Sequence, residues 1–123
     1  MRIDKFKEEQ LDELMLFLDE NLNENYERVV FLNIRKRWPD GFLTVIDKEK
    51  IVGVCCGAIL PNDKLRILIL VLHNDYQKKG IGKDLMNRMI KNFRICIPHY
   101  ILCIDNDFIV ELPFFSNGIS VWT

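Results

Sequence analysis

The 123-residue chain carries almost no net charge: Lys and Arg number 17, Asp and Glu 18, for a formal charge of −1. Bulk charge therefore predicts neither nucleic-acid nor anionic-membrane binding. Long hydrophobic runs are missing as well. The longest purely apolar stretch is Ile67 to Leu72, far short of the ~18 residues of a membrane span. The opening MRIDKFKEEQ puts charges where a signal peptide has its apolar region. No CxxC pair occurs, and His73 and His99 lie at no metal-finger spacing, so no metal is expected. There is no internal repeat, low-complexity segment or linker. With 49% hydrophobic and 28% charged residues, a disordered chain is excluded. The expectation is one soluble cytoplasmic domain, residues 1–123.

Of the four cysteines, Cys55 and Cys56 are adjacent within an apolar run, while Cys96 and Cys103 stand alone. As strand residues, Cys55 and Cys56 face opposite sides of a sheet, which reads as core packing. Four free thiols fit a reducing compartment.

Charge is uneven along the chain. Residues 1–28 hold nine acids against four bases, and residues 75–94 hold six bases against two acids. Two solvated helix faces would produce this pattern. The glycine loop inside the basic stretch gives it a second meaning.

Met1 to Phe6 reads as a short strand. Leu11, Leu14, Met15, Leu18 and Leu22 recur at helical spacing, which predicts an amphipathic helix over Glu8 to Leu22. The polar stretch Asn21 to Asn25 breaks it. A second helix, Tyr26 to Trp38, stops at Pro39 and the turn signal Asp40-Gly41. Phe42 to Ile46 and Ile51 to Leu60 form a hairpin around the charged turn Asp47 to Lys50. After a turn at Pro61-Asn62-Asp63, Leu65 to Leu72 is a central strand. A helix follows the glycine loop, with Ile81, Leu85, Met86, Met89, Ile90 and Phe93 along one face. Tyr100 to Ile104 reads as a strand, Asn106 to Phe115 as a short helix, and Ile119 to Trp122 as a last strand. Three antiparallel strands followed by strand–helix–strand predict an α+β fold, a mixed sheet between helices on both faces.

The strand running into Gln77-Lys78-Lys79-Gly80-Ile81-Gly82-Lys83 and then a helix has a physical meaning. The first turn of a helix leaves backbone N–H groups unpaired, and these, with the positive end of the dipole, attract an anion. Gly80 and Gly82 let the backbone approach a phosphate with no Cβ in the way. Lys78, Lys79 and Lys83 add charge. The alternative is a plain strand-to-helix turn with exposed lysines. GxxxxGK[ST] is absent and the third glycine of GxGxxG is missing, so neither P-loop nor Rossmann fingerprint is present.

Leu70 to Gly82, with the core Gln77-x-x-Gly80-x-Gly82 reached from a strand and followed by a helix, resembles the acetyl-CoA motif of the GNAT acetyltransferase superfamily. Leu22-Asn23-Glu24-Asn25-Tyr26, Trp38-Pro39 and Lys50-Ile51-Val52-Gly53 are similar to the N-terminal protein acetyltransferases, with Asn23 in place of a proline. The resemblance covers residues 1–95 well. It implies acetyl-CoA as co-substrate and direct attack by an amine, with no covalent enzyme intermediate. Leu70, Val71 and Leu72 would offer backbone hydrogen bonds to the pantetheine arm, and the Leu72 N–H would polarise the thioester carbonyl. Gln77, Lys78, Lys79, Gly80, Ile81, Gly82 and Lys83 would hold the pyrophosphate. Asn106 falls on the cofactor-side asparagine. Leu22, Glu24 and Tyr26 fall on the acceptor loop, where Glu24 is the candidate general base. For Glu24 a solvated loop acid, and for Tyr26 a core aromatic, are the alternatives. His73 is a second base candidate or a structural residue before the loop. Asp105 reads as a cap or turn residue.

The last quarter departs from the family. Aligned on Asn106, Ile109 takes the alanine position and Pro113 that of the tyrosine that protonates the leaving thiolate. Aligned on Gly118, Phe114 takes it. The glutamate or histidine of the fifth strand falls at Ile101, and a fourth-strand tyrosine at Arg66. The expected fold lacks the family's last strands: the acceptor wall is missing, comes from a neighbouring subunit, or belongs to a longer chain. An exposed last strand allows a homodimer. Three readings follow: an N-acetyltransferase acting on a primary amine, a protein N-terminus first among them; a catalytically impaired CoA-binding module; and an unrelated anion-binding domain.

Overall fold

The computed structural model describes residues 1–22, 26–61 and 64–96. Strand β1 (Arg2–Lys5) leads through a 3-10 turn, Glu8–Gln10, into α1 (Leu11–Leu22) and α2 (Arg28–Arg37). A second 3-10 turn, Pro39–Gly41, precedes β2 (Phe42–Asp47), β3 (Lys50–Ile59) and β4 (Leu65–Leu72). A third, Asn74–Tyr76, precedes α3 (Ile81–Cys96). The sheet order is β1-β2-β3-β4, and every described pair is antiparallel. The expected strands Tyr100 to Ile104 and Ile119 to Trp122 and the helix Asn106 to Phe115 lie outside the described residues, as do Asn62 and Asp63 of the turn before β4. The parallel member of the mixed sheet is therefore not among the described strands.

Two expected helices are shorter than their periodicity suggests. The first opens with a 3-10 turn, where the Lys7 N–H donates to the Gln10 side chain at 2.9 Å. The second leaves Tyr26 and Glu27 outside, and the Trp38 N–H donates to Ile34 O at 3.2 Å before Pro39 stops it.

The strand alternation sorts side chains into two cores. Val54, Cys56, Ile69 and Val71 face α1 and α2, meeting Leu14, Phe17, Leu18 and Phe31. Cys55, Ile67 and Leu70 face α3, meeting Leu85, Met86, Met89 and Phe93. Helices therefore cover both faces, as the sequence predicts. Cys55 and Cys56 are fully buried on opposite sides. Burial pushes the Cys55 thiol well up and that of Cys56 up to about 12, so both are inert packing groups. Side-chain bonds fix the layers. The Glu13 carboxylate on α1 accepts the Ile51 N–H at 2.7 Å, and Asn92 on α3 donates to Asp40 O at 2.8 Å.

Candidate active site

β4 is the outer strand of the described sheet beside α3. Its register pairs Gly53 with Leu72 and Cys55 with Leu70. The His73 N–H donates to Val52 O at 2.8 Å. In an antiparallel ladder, hydrogen-bonded and open pairs alternate. Val71 therefore turns its peptide groups to β3, while Leu70 and Leu72 turn theirs outward. The expectation for three consecutive residues narrows: Leu70 and Leu72 present backbone donors and acceptors, and Val71 is held by the ladder. Gly53 helps to set this edge, since a Cβ there would stand 2.5 Å from Leu72 Cδ2.

The Leu72 carbonyl accepts the Gln77 side-chain amide at 3.0 Å, and the same amide reaches Asn74 Oδ1 at 3.4 Å. Gln77 thus folds the loop back on β4. His73 caps the 3-10 turn, its Nδ1 accepting the Asp75 N–H at 3.1 Å. This is the structural role that the sequence left open beside that of a base. The Tyr76 hydroxyl donates to Asp47 Oδ2 at 2.6 Å, across to the end of β2. That bond holds the Asp47 carboxyl below its usual range and pushes the Tyr76 phenol up. Lys79 Nζ lies 5.9 Å from the centre of the Tyr76 ring.

Lys78 (φ 62) and Gly80 (φ 83) take left-handed backbone. A Cβ at Gly80 would meet nothing within 4 Å. Its glycine answers to the backbone angle rather than to crowding by the chain itself, and open space lies in front of it. The Asp84 N–H donates to Gly80 O at 3.1 Å. Ile81, Gly82 and Lys83 then occupy the turn whose N–H groups have no partner within a helix. Ile81 is buried and anchors the start of α3, while Lys78, Lys79 and Lys83 are exposed around it. An outward backbone edge, a left-handed glycine turn, a helix N-terminus and three exposed lysines adjoin one another. This arrangement fits a pantetheine arm along β4 and a pyrophosphate at α3.

The expected acceptor side is less complete. Leu22 ends α1 half-buried, and Tyr26 sets its ring edge-on to Phe31 at 5.5 Å; both pack on the α1–α2 core. Glu24, Asn106 and Asp105 lie outside the described residues. Among the described residues no cluster of His, Cys, Asp or Glu is placed to hold a metal, and no helix is long and apolar enough to cross a membrane.

The model of the acetyltransferase (GNAT) family matches residues 4–109. The chain belongs to that family. The fold is shared with Ard1 from Thermoplasma volcanium, with TM-score 0.68 and 20% identity over 89% of this chain and 76% of that one. Naa20 from Chaetomium thermophilum, solved with a bisubstrate analogue, gives 0.69 and 19% over 79% of this GNAT chain and 58% of its own. Arabidopsis thaliana Naa50, solved with the bisubstrate analogue CoA-Ac-MVNAL, gives 0.60 and 16% over 73% and 62%. The chain thus spans less than two thirds of the last two. Sequence reading missed Glu13 and Asp47. Nothing in their local pattern marks them, because each acts on a residue at least 29 positions away.

Proposed function

We propose that this chain transfers the acetyl group of acetyl-CoA to a primary amine, a protein N-terminal α-amine being the first candidate. The observation that carries the reading is the outward backbone of Leu70 and Leu72 leading into the Gly80 turn. Bound acetyl-CoA supplies an activated acyl thioester. The Leu72 N–H is placed to donate to the thioester oxygen as it gains charge. Lys78, Lys79 and Lys83, with the N-terminus of α3, hold the pyrophosphate. The acceptor lies toward Leu22 and Tyr26, with Glu24 taking the proton that the amine must lose, directly or through water. The likeness to Naa20 and Naa50, both solved with bisubstrate analogues, supports a peptide acceptor.

A second reading, a CoA-binding module with impaired chemistry, is favoured by Pro113 or Phe114 at the position of the thiol-protonating tyrosine. Calorimetric titration with acetyl-CoA, followed by acetyl transfer to a panel of peptides, tests both. Micromolar binding corresponds to roughly −8 kcal/mol. Binding with transfer supports the enzyme, and binding without transfer supports the module. No binding at millimolar ligand removes both.

A further inference from the structure

The contact between Tyr76 and Asp47 joins two parts of the fold that the cofactor motif does not itself connect. Tyr76 precedes the pyrophosphate loop by one residue, and Asp47 ends β2 at the β2–β3 turn. The phenol donates to the carboxylate at 2.6 Å. The rest of the ring is seated independently: it packs against the α3-side core, stands edge-on to His73 at 6.1 Å and lies under Lys79. Among the described residues the loop's other side-chain hydrogen bonds stay local: Gln77 to Leu72 O and to Asn74, and His73 Nδ1 from the Asp75 N–H. Among the described residues it is the bond to Asp47 that references the loop to the β2–β3 hairpin. The loop also holds two left-handed residues, one of them Lys78, where a side chain disfavours that backbone. Such a conformation persists only where its surroundings fix it.

We infer that Asp47 is a positioning residue for the cofactor: through Tyr76 it holds the Lys78–Gly80 turn in the shape that receives a pyrophosphate. This rests on the acetyl-CoA reading of the site. Asp47 touches no part of the ligand; its effect is the fraction of molecules whose loop is ready to bind. Apparent affinity falls in proportion to that fraction. The pantetheine arm is read by β4, which the latch does not shape. The latch therefore acts on donors that carry the pyrophosphate and not on donors that lack any phosphate.

The test is calorimetric titration of the full chain and its Tyr76→Phe and Asp47→Asn variants, with CoA and with S-acetylpantetheine, which carries no phosphate. Tyr76→Phe keeps the ring, its packing and its contact with Lys79, and removes only the hydroxyl. The expected result is CoA binding weakened roughly three- to tenfold in Tyr76→Phe, with S-acetylpantetheine binding unchanged. Asp47→Asn should weaken CoA in the same direction, and the double variant should lose no more than the larger single loss. Hydrogen exchange of residues 77–83 should quicken in both variants without ligand. If the wild type binds CoA and Tyr76→Phe binds it equally well, the latch is overturned while the acetyl-CoA reading stands. Equal weakening of both ligands, or a lower melting temperature with unchanged affinity, also overturns it, since either marks general stability. A wild-type chain that binds no CoA removes the reading and the latch together.

Discussion

On the proposed function, the two sides of this fold recognise by different means. The cofactor side, β4 with its loop and α3, offers mostly backbone: the outward groups of Leu70 and Leu72, a left-handed glycine and the first turn of a helix. The proposed acceptor side, at the ends of α1 and α2, would use side chains such as Leu22 and Tyr26, which pack on the α1–α2 core. Backbone recognition depends on where strands and helices lie, so a sequence that keeps the hydrophobic pattern and the glycine turn keeps the backbone part of the site. Side-chain recognition depends on individual residues in a connection and can be altered without disturbing the fold. The first kind of site is therefore written in periodicity and glycine placement, the second in single positions.

The largest effects separate the two sides cleanly. Phe42 is fully buried, stacked on Phe6 at 4.3 Å and edge-on to Phe31 at 6.4 Å, in the α1–α2 core. Phe42→Ala should cost about 3–5 kcal/mol by denaturant unfolding, while protein that remains folded binds CoA with unchanged affinity. Gly80→Glu should do the reverse. A carboxylate facing the pyrophosphate should weaken CoA at least ~100-fold, or about 2.7 kcal/mol, with a stability loss of only about 1 kcal/mol from the disfavoured φ, because a Cβ there meets nothing within 4 Å. Gly80→Ala separates the charge from the backbone angle. If Phe42→Ala weakened CoA as much as Gly80→Glu does, the two sides would not be independent. Between these falls Tyr26→Ala: it should raise the KM for a peptide acceptor severalfold and leave the CoA Kd unchanged.

Much of this division was legible beforehand. The strand before the loop, Gln77-x-x-Gly80-x-Gly82, and the apolar face from Ile81 to Phe93 placed the cofactor edge and the helix that covers it. What stayed hidden were contacts made across the sheet. Asp47 reads as one charge in a charged turn, and Glu13 as one acid in an acidic helix. Their roles arise from the bond to Tyr76 and the bond to the Ile51 N–H, which exist only once the sheet has formed. At Gly80 the structure adds a reason that the sequence does not disclose: its backbone angle demands glycine, while a Cβ would meet nothing of the protein itself. Val71 was grouped with its neighbours because a sequence does not disclose which edge of a strand each peptide faces. That depends on register.

A smaller effect probes the hairpin that carries Asp47. Its two turn residues, Lys48 (φ 51) and Glu49 (φ 63), both take left-handed backbone, where two-residue hairpins favour Asn-Gly. Replacing them together, Lys48→Asn with Glu49→Gly, should stabilise the fold by about 1 kcal/mol, measured as a higher melting temperature. With Asp47 unchanged, CoA affinity should stay the same. A gain in stability that came with a loss of CoA binding would show that the turn's strain, rather than the Asp47 carboxylate, sets the loop.

The smallest effect is a pH dependence, and its sign follows from the bond itself. The Tyr76 hydroxyl favours the charged form of Asp47, so that carboxyl titrates below its ordinary 3.8 in the folded chain. Its contribution to stability is present in full above 3.8 and is lost as pH falls through the lower, folded value. The phenol is shifted the other way, upward from 10.0. Its contribution is present in full below 10.0 and is lost as pH rises through the higher, folded value. The melting-temperature difference between wild type and Tyr76→Phe should therefore hold a plateau between these limits and shrink beyond each. Asp47→Asn lacks the titrating carboxyl, so its difference from wild type should likewise vanish on the acid side, as Asp47 is protonated, and shrink on the alkaline side, as Tyr76 ionises. Both groups are solvent-accessible, so salt should flatten the plateau. CoA affinity, in contrast, should follow the plateau only if the bond sets the loop as well as the fold. Stability that changes across these limits while affinity does not would confine Asp47 to the hairpin and return the cofactor side to backbone alone.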